Sequence, residues 1–220
     1  MLAIRVAGLL PVRHYGDMTK TGKARHSPEH AQPGSSAADA YERLIEAVVW
    51  AVHQHGYVGA TMDKIASHAG FTRGALQHYF GNRRVDMIAR VTSELLVERQ
   101  ALYEARYGGA AAPEKGDFRA EVKAAFRDPR TWFLIEVWIA SRSDSELQEA
   151  ISQLQDRIEK LSDLALEVSL RATSTVPFPV LKAFLRSLTR GLALEYSRNS
   201  DEQLFDKVVD LAFDALEAIL

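Results

Sequence analysis

The sequence contains no cysteine and no apolar run approaching the ~18 residues that a membrane-spanning helix needs. The first absence excludes disulfides and thiolate metal sites, and it is consistent with a cytoplasmic location. The second predicts that the protein has no membrane partner. Strict alternation of apolar and polar residues, which marks half-buried strands, is lacking as well. Since 47% of the 220 residues are apolar, we expect a sizeable core made of helices alone.

Residue constellations that carry catalysis are not recognisable either. The chain has no phosphate loop, no nucleophile elbow and no Gly-rich dinucleotide fingerprint. His53 and His55 are two positions apart in a predicted helix, so they face different directions and cannot easily share a metal ion. We therefore expect a protein that is not an enzyme and that uses no cofactor and no metal.

The net charge of −2 hides an uneven distribution along the chain. Residues 1–38 carry five Lys/Arg against two Asp/Glu, and residues 61–90 again carry five against two, whereas residues 91–220 carry sixteen against twenty-two. A basic N-terminal part on an acidic body is typical of a protein that binds a polyanion. Because Pro, Gly, Ser and Lys dominate the later half of residues 1–38, we interpret this segment as a flexible basic tail.

From residue 39 onward the apolar spacing predicts an all-α fold with about nine helices. Gly56 is the expected end of the first helix. Thr61 and Thr72 are the expected N-caps of two short helices, and Gly70 lies between those helices, where a left-handed turn is needed. Residues 62–81 are therefore predicted to form a helix-turn-helix.

The second helix of this motif carries several polar residues that are uncommon in a hydrophobic core. In a helix-turn-helix it enters the major groove of double-stranded DNA, where Arg73 can contact guanine and Gln77 can contact adenine. Ala75 can meet a thymine methyl group. His78 is left open between a base edge, a phosphate and a scaffold role. Tyr79 is either a phosphate contact or mainly a core aromatic. Arg83 and the neighbouring Arg84 both suit a phosphate contact, and their spacing does not decide between them. The complete set of predicted DNA-binding residues is Thr61, Thr72, Arg73, Ala75, Gln77, His78, Tyr79 and Arg83.

The stretches HQHGYVGATM and KIASHAGFTRGALQHYFGNR, followed by a long helix, resemble the TetR family of bacterial helix-turn-helix transcriptional regulators over about residues 41–90. The resemblance implies a DNA-binding domain over residues 39–90 and a helical effector-binding and dimerisation domain over residues 91–220. It implies a homodimeric regulator, commonly a repressor, that a small-molecule effector releases from a palindromic operator. Asp63 departs from the family pattern, because an arginine often reaches DNA from that position. The alternative is a helical protein-interaction module without DNA binding, in which Arg73 and Gln77 would be dispensable.

Large aromatic residues concentrate in residues 103–142 and predict an effector pocket. Within the helix TWFLIEVWIA, Glu136 is the lone charge among apolar neighbours. A buried carboxylate must be paired or protonated. Glu136 therefore either faces a ligand or pairs with Arg130 or Arg142. The expected pocket residues are Tyr103, Phe118, Phe126, Trp132, Glu136 and Trp138.

The last two predicted helices each carry more apolar surface than packing on one domain requires. A two-fold dimer with a four-helix interface would cover the surplus, since reading a palindrome requires two copies. The alternative is that both apolar stripes are covered within one chain. The residues predicted for the dimer interface are Leu181, Phe184, Leu188, Gly191, Leu192, Val209, Phe213 and Leu216.

Overall fold

The computed structural model describes residues 37–107, 115–152, 154, 176–198 and 201–219. These residues form nine helices and no strand, as the apolar spacing predicts. The helices are α1 (Ala37–Gly59), α2 (Met62–Ala69), α3 (Arg73–Phe80), α4 (Arg84–Tyr107), α5 (Lys115–Arg127), α6 (Pro129–Ser141), α7 (from residue 145), α8 (Phe178–Arg198) and α9 (Glu202–Ile219). The expected basic tail lies almost entirely outside the described residues, and residues 155–175 lie outside them as well. None of the described helices combines the length and the hydropathy needed to cross a bilayer.

A break near the end of α1 is caused by Gly56, whose φ of 67° and ψ of 170° are not helical. Only glycine adopts this backbone conformation without strain. The short piece of helix that follows turns Tyr57 into the core, where its side chain is 3% exposed. Gly56 therefore ends the first straight segment of α1, as predicted, although helical structure resumes for three residues.

The two short helices begin and end at the residues that the sequence indicates. Thr61 and Thr72 both have extended backbone and accept a hydrogen bond from a backbone N–H three residues later, as N-caps do. Gly70 is left-handed with a φ of 71°, and its N–H is bonded to carbonyls of the last turn of α2. This turn allows α2 and α3 to cross at a sharp angle, which makes the helix-turn-helix.

One buried apolar cluster runs from the N-terminal helices into the C-terminal half. Leu44 and Val48 of α1, Leu76 of α3 and Phe133 of α6 are completely buried and belong to the same cluster. The buried cluster therefore extends from α1 to α7. It continues without interruption across residue 90, where a boundary between two domains was expected. Helix α1, which supports α2 and α3, is also packed against α6.

Helix α9 is held against α5 by ion pairs between evenly spaced charges. On α5, Arg119, Lys123 and Arg127 are four residues apart and thus share one face. They pair with the acids of α9 at distances between nitrogen and oxygen of 3.0 Å to Asp214, 2.7 Å to Asp210 and 2.6 Å to Asp206. The matching spacing on two antiparallel helices fixes their register.

Candidate nucleic-acid interface

Helix α3 presents two different faces. Leu76 and Phe80 are 0% and 5% exposed and anchor the helix in the core. On the other side, Arg73 and His78 are exposed, and Gln77 is half-buried. The Thr72 hydroxyl oxygen accepts the N–H of Ala75 at 3.1 Å, which fixes the N-terminal turn of the helix. A short helix held from one side and exposed on the other can enter a DNA groove with its N-terminal half.

The guanidinium of Arg73 is bonded to the carboxylate of Asp63. Its Nη1 lies 3.3 Å from Oδ1 of Asp63, and both side chains are more than half exposed. Asp63 is in the first turn of α2, so this contact joins the two helices of the motif. The predicted base-reading arginine thus already has an acidic partner before any DNA is bound.

Tyr79 has its ring against the core and is half-buried. The centre of its ring lies 5.9 Å from that of Tyr41 on α1. The exposed His78 ring meets the Tyr79 ring edge-on, with centres 5.6 Å apart. The packing of Tyr79 agrees with the core interpretation of its ring, and it leaves the phosphate contact of its hydroxyl group as a prediction.

Arg83, a predicted phosphate contact, is bonded to acidic residues of the same chain. Its Nη2 lies 2.7 Å from Oε2 of Glu146, near the start of α7, and its Nη1 lies 3.9 Å from Asp86. The hydrogen bond that Arg83 donates to Glu146 raises the pKa of Arg83 above its usual value. Glu146 is 63 residues away in sequence, so no local pattern could have identified it as the partner.

Next to this ion pair, a second set of contacts joins the two halves of the chain. The Tyr57 hydroxyl donates to Oδ2 of Asp144 at 2.7 Å, and the guanidinium of Arg84 lies 4.5 Å above the Tyr57 ring. Asp144 also accepts the N–H of Leu147 at 3.0 Å, as the N-cap of α7. That backbone bond and then the Tyr57 hydroxyl lower the pKa of Asp144. The turn before α7 is thus fastened to the ends of α1 and α4.

The model of a family described as "Bacterial regulatory proteins, tetR family" matches residues 44–85, which contain the whole helix-turn-helix. The chain is 24% identical over 189 residues to the HTH-type transcriptional repressor AcnR of Corynebacterium glutamicum, covering 81% of this chain and 93% of that protein. The chain belongs to the TetR family of bacterial regulatory proteins. It is a DNA-binding transcriptional regulator.

Other comparisons agree with this assignment. The HTH-type transcriptional regulator BetI of Paraburkholderia phytofirmans is 30% identical over 114 residues, which cover 51% of this chain and 58% of that protein. The solved structure of the fatty acid degradation regulator FadR from Bacillus halodurans superposes with a TM-score of 0.59 at 19% identity, covering 77% of this chain and 95% of that one. The superposition supports the TetR-type fold. The curated relatives are transcriptional regulators and not enzymes, in agreement with the sequence.

In this TetR-family regulator a cleft of about 410 Å³ lies between the end of α1, the α5–α6 corner and α8. Phe126 and Trp132, two of the six expected pocket residues, line it, together with His53 and Tyr196. Trp138 lies elsewhere, with the guanidinium of Arg190 4.1 Å from its ring centre. Tyr103 and Phe118 are in α4 and α5, but their side chains are outside the described residues.

Glu136 corrects the sequence-based expectation most clearly. Among the described contacts, its Oε1 accepts the N–H of Tyr57 at 3.1 Å, beside the break at Gly56. It does not line the cleft and is not bonded to either arginine that was suggested for it. The carboxylate satisfies a backbone donor that the break in α1 leaves without its helical acceptor.

Arg130, one of those suggested partners, is bonded to three other glutamates. Its guanidinium contacts Glu42 at 2.8 Å and Glu98 at 2.7 Å, and it also contacts Glu46. Burial opposes the charge of Arg130, but the hydrogen bond and charge of Glu46 and the charges of the other two acids raise its pKa overall. Arg130 therefore ties α6 to α1 and α4, and the sequence did not indicate this role.

The predicted dimer surface is also corrected. Leu181, Leu192, Val209 and Leu216 are at most 7% exposed, because they pack within the chain. Leu188 and Phe213 are half-buried, whereas Phe184 and Gly191 remain exposed. Six large apolar side chains on α8 and α9 are exposed by 37% to 68%, and Phe184 is the member that they share with the predicted surface. They are Val180, Phe184, Leu194, Leu204, Val208 and Leu211. We call this set the exposed stripe.

Proposed function

We propose that this regulator represses transcription by binding a palindromic operator as a homodimer, and that a small-molecule effector releases it. The observation that carries the proposal is α3 itself, a capped and core-anchored helix with Arg73 exposed at its first residue and Gln77 one turn further on. These residue types form bidentate contacts with guanine and adenine. In this arrangement Thr61, Thr72 and Tyr79 are suited to contact phosphates, while Ala75 and His78 face the groove.

Dimerisation is supported by the exposed stripe. Leu204, Val208 and Leu211 follow the spacing of a single helical face on α9, and Val180, Phe184 and Leu194 do so on α8. Six large apolar side chains on two adjacent helices form a patch of the kind that marks a protein interface. Two copies that meet through this patch would place two α3 helices on one side of DNA, as a palindromic site requires.

The cleft beside Trp132 is the proposed effector site. Its charged residues are already engaged, because Arg127 pairs with Asp206 at 2.6 Å and Asp128 caps α6. Burial lowers the pKa of His53, so its ring is neutral at pH 7. An uncharged, partly aromatic molecule suits this lining.

Repression and a cytoplasmic location are proposed from the relatives, one of which is named a repressor.

Selection of binding sites from random double-stranded DNA tests the proposal. We expect enrichment of a palindromic motif whose half-sites are centred about one helical turn apart, or a multiple of it. The complex with that DNA should contain two chains. Absence of any enriched motif would contradict the proposed function and would favour a protein-interaction module.

A further inference from the structure

We propose that Asp63 is a specificity-determining residue, which holds Arg73 in the orientation that reads a base pair. The inference rests on the proposed function, because it requires α3 to lie in the major groove. It concerns the one position at which this chain carries an acid on the DNA-facing side of α2.

The geometry of the contact leaves the reading edge of the arginine available. The ion pair uses Nη1 of Arg73 and one oxygen of Asp63, at 3.3 Å. A guanidinium has five N–H donors in a planar fork, so the contact through Nη1 leaves Nε–H and Nη2–H on the other edge. Two parallel donors on one edge are what the O6 and N7 acceptors of guanine require.

The position of Asp63 also selects among the partners of Arg73. Arg73 is the first residue of α3, so its long side chain can swing toward a phosphate as well as toward a base. A carboxylate within 3.3 Å of the guanidinium repels a phosphate at the same place. Asp63 therefore lowers the affinity for DNA in general and favours the arrangement in which Arg73 points at the base edge.

Both side chains are more than half exposed, at 57% for Arg73 and 72% for Asp63. An exposed ion pair contributes little to folding stability. The role of Asp63 should therefore be visible in sequence discrimination and not in the unfolding midpoint.

The experiment uses the selected operator with each base pair substituted in turn, and it measures binding by wild type, Asp63→Asn, Arg73→Ala and the double variant. Arg73→Ala identifies the base pair that Arg73 reads. Asp63→Asn is expected to reduce discrimination at that same base pair by about two- to fivefold, the range expected for an exposed ion pair. It should also strengthen binding to unrelated DNA. In the Arg73→Ala background, the Asn substitution should change discrimination no further.

Asp86→Asn is the matched control. Asp86 is exposed, lies near the DNA-binding helices and pairs with Arg83 at 3.9 Å. It should alter affinity for all sequences alike and leave discrimination at the Arg73 base pair unchanged. Asp63→Glu retains the carboxylate and should keep more discrimination than Asp63→Asn.

The inference would be overturned if Asp63→Asn bound all sequences more tightly by the same factor and discriminated at the Arg73 base pair as well as wild type does. Asp63 would then act only as a charge that repels DNA. A wild type with no preferred sequence would instead contradict the proposed function, so the two failures are distinguishable. The unfolding midpoint in urea of each variant confirms that the comparison is made between folded proteins.

Discussion

Arg83 and Glu146 form an ion pair, 2.7 Å long, between the turn that follows α3 and the first turn of α7. It joins a residue of the proposed DNA interface to the C-terminal half of the same chain. A phosphate that binds Arg83 must compete with the Glu146 carboxylate, since both accept hydrogen bonds from the same guanidinium. If Arg83 contacts a phosphate, as we predict, this competition would couple the contact between Arg83 and α7 to the affinity for DNA.

Glu146→Gln should therefore strengthen binding to DNA. Because the pair is exposed, we expect a gain of about two- to fivefold in affinity, and none in an Arg83→Ala background. Fluorescence anisotropy with the operator at constant salt measures it. Glu149→Gln, an exposed acid one turn further along α7, is the control for loss of one negative charge. Equal gains from the two single variants would show that the effect is long-range electrostatics and not release of Arg83.

Glu136→Ala should destabilise the fold. It removes the acceptor of the Tyr57 N–H at 3.1 Å, and an unpaired donor in this partly buried place costs about 1–3 kcal/mol. Glu136→Gln keeps an oxygen in position and should cost much less. Urea unfolding of both variants measures the difference in the free energy of unfolding. If the two variants lose equal stability, the charge of Glu136 and not its role as an acceptor supports the break in α1.

Leu211→Asp should separate the dimer into folded monomers. Leu211 is 68% exposed in the single chain, so an acid there creates no buried charge until a second copy covers it. Light scattering at micromolar concentration should give the 24.5 kDa mass of one chain, with an unchanged helical circular dichroism spectrum.

Val97→Asp is the control for this experiment, because Val97 is 43% exposed but lies on α4. It should leave the dimer intact. A wild type that already has the mass of one chain would contradict the proposed dimer. A Leu211→Asp variant that remains a dimer would place the interface elsewhere, and dissociation by Val97→Asp as well would show that the effect is not specific to the exposed stripe.

The stacking of the partly exposed His68 ring on Trp50 is expected to make stability weakly dependent on pH. Their ring centres are 3.6 Å apart with an angle of 5° between the planes, and burial lowers the pKa of His68 below its ordinary 6.5. The folded state thus favours the neutral ring. The contribution of His68 to stability is complete above about pH 6.5 and is lost as the pH falls through the lowered pKa of the folded state.

Urea unfolding at about pH 7.5 and about pH 5.5, on wild type and His68→Gln, measures this loss. Wild type should lose more stability between the two conditions than His68→Gln, since the other histidines titrate in both proteins. A smaller loss in wild type would show that attraction between the protonated ring and Trp50 outweighs the cost of burial.

The sequence predicted features that depend on neighbouring residues. The caps at Thr61 and Thr72 and the left-handed Gly70 are set by contacts within about four positions, so the helix-turn-helix was recognisable. The partners of Glu136 and Arg130 were wrong, because an isolated charge does not reveal which distant helix lies against it. Phe126 and Trp132 lie beside a cleft and Trp138 does not, since aromatic content does not say which side of α6 faces the space.

The dimer surface shows the same limit. Two apolar stripes on α8 and on α9 are visible in the sequence, but the choice of the stripe that packs within the chain depends on the register of α5 against α9. The ion pairs that fix this register join residues that are far apart in the sequence. Arg127 and Asp206, for example, are separated by 79 positions. Leu192 and Val209 were therefore assigned to the wrong side of their helices, whereas Phe184 and Gly191 were on the exposed side.

The most direct test of the account is the ratio of affinities for operator and for unrelated DNA. Wild type, Arg73→Ala, Arg83→Ala and the control Arg198→Ala, an exposed arginine at the end of α8, are titrated at one salt concentration. We predict that Arg73→Ala lowers the ratio by the equivalent of ~1–3 kcal/mol, that Arg83→Ala weakens both affinities alike, and that Arg198→Ala changes neither appreciably. A ratio that is the same for wild type and Arg73→Ala would contradict the reading of DNA sequence by α3.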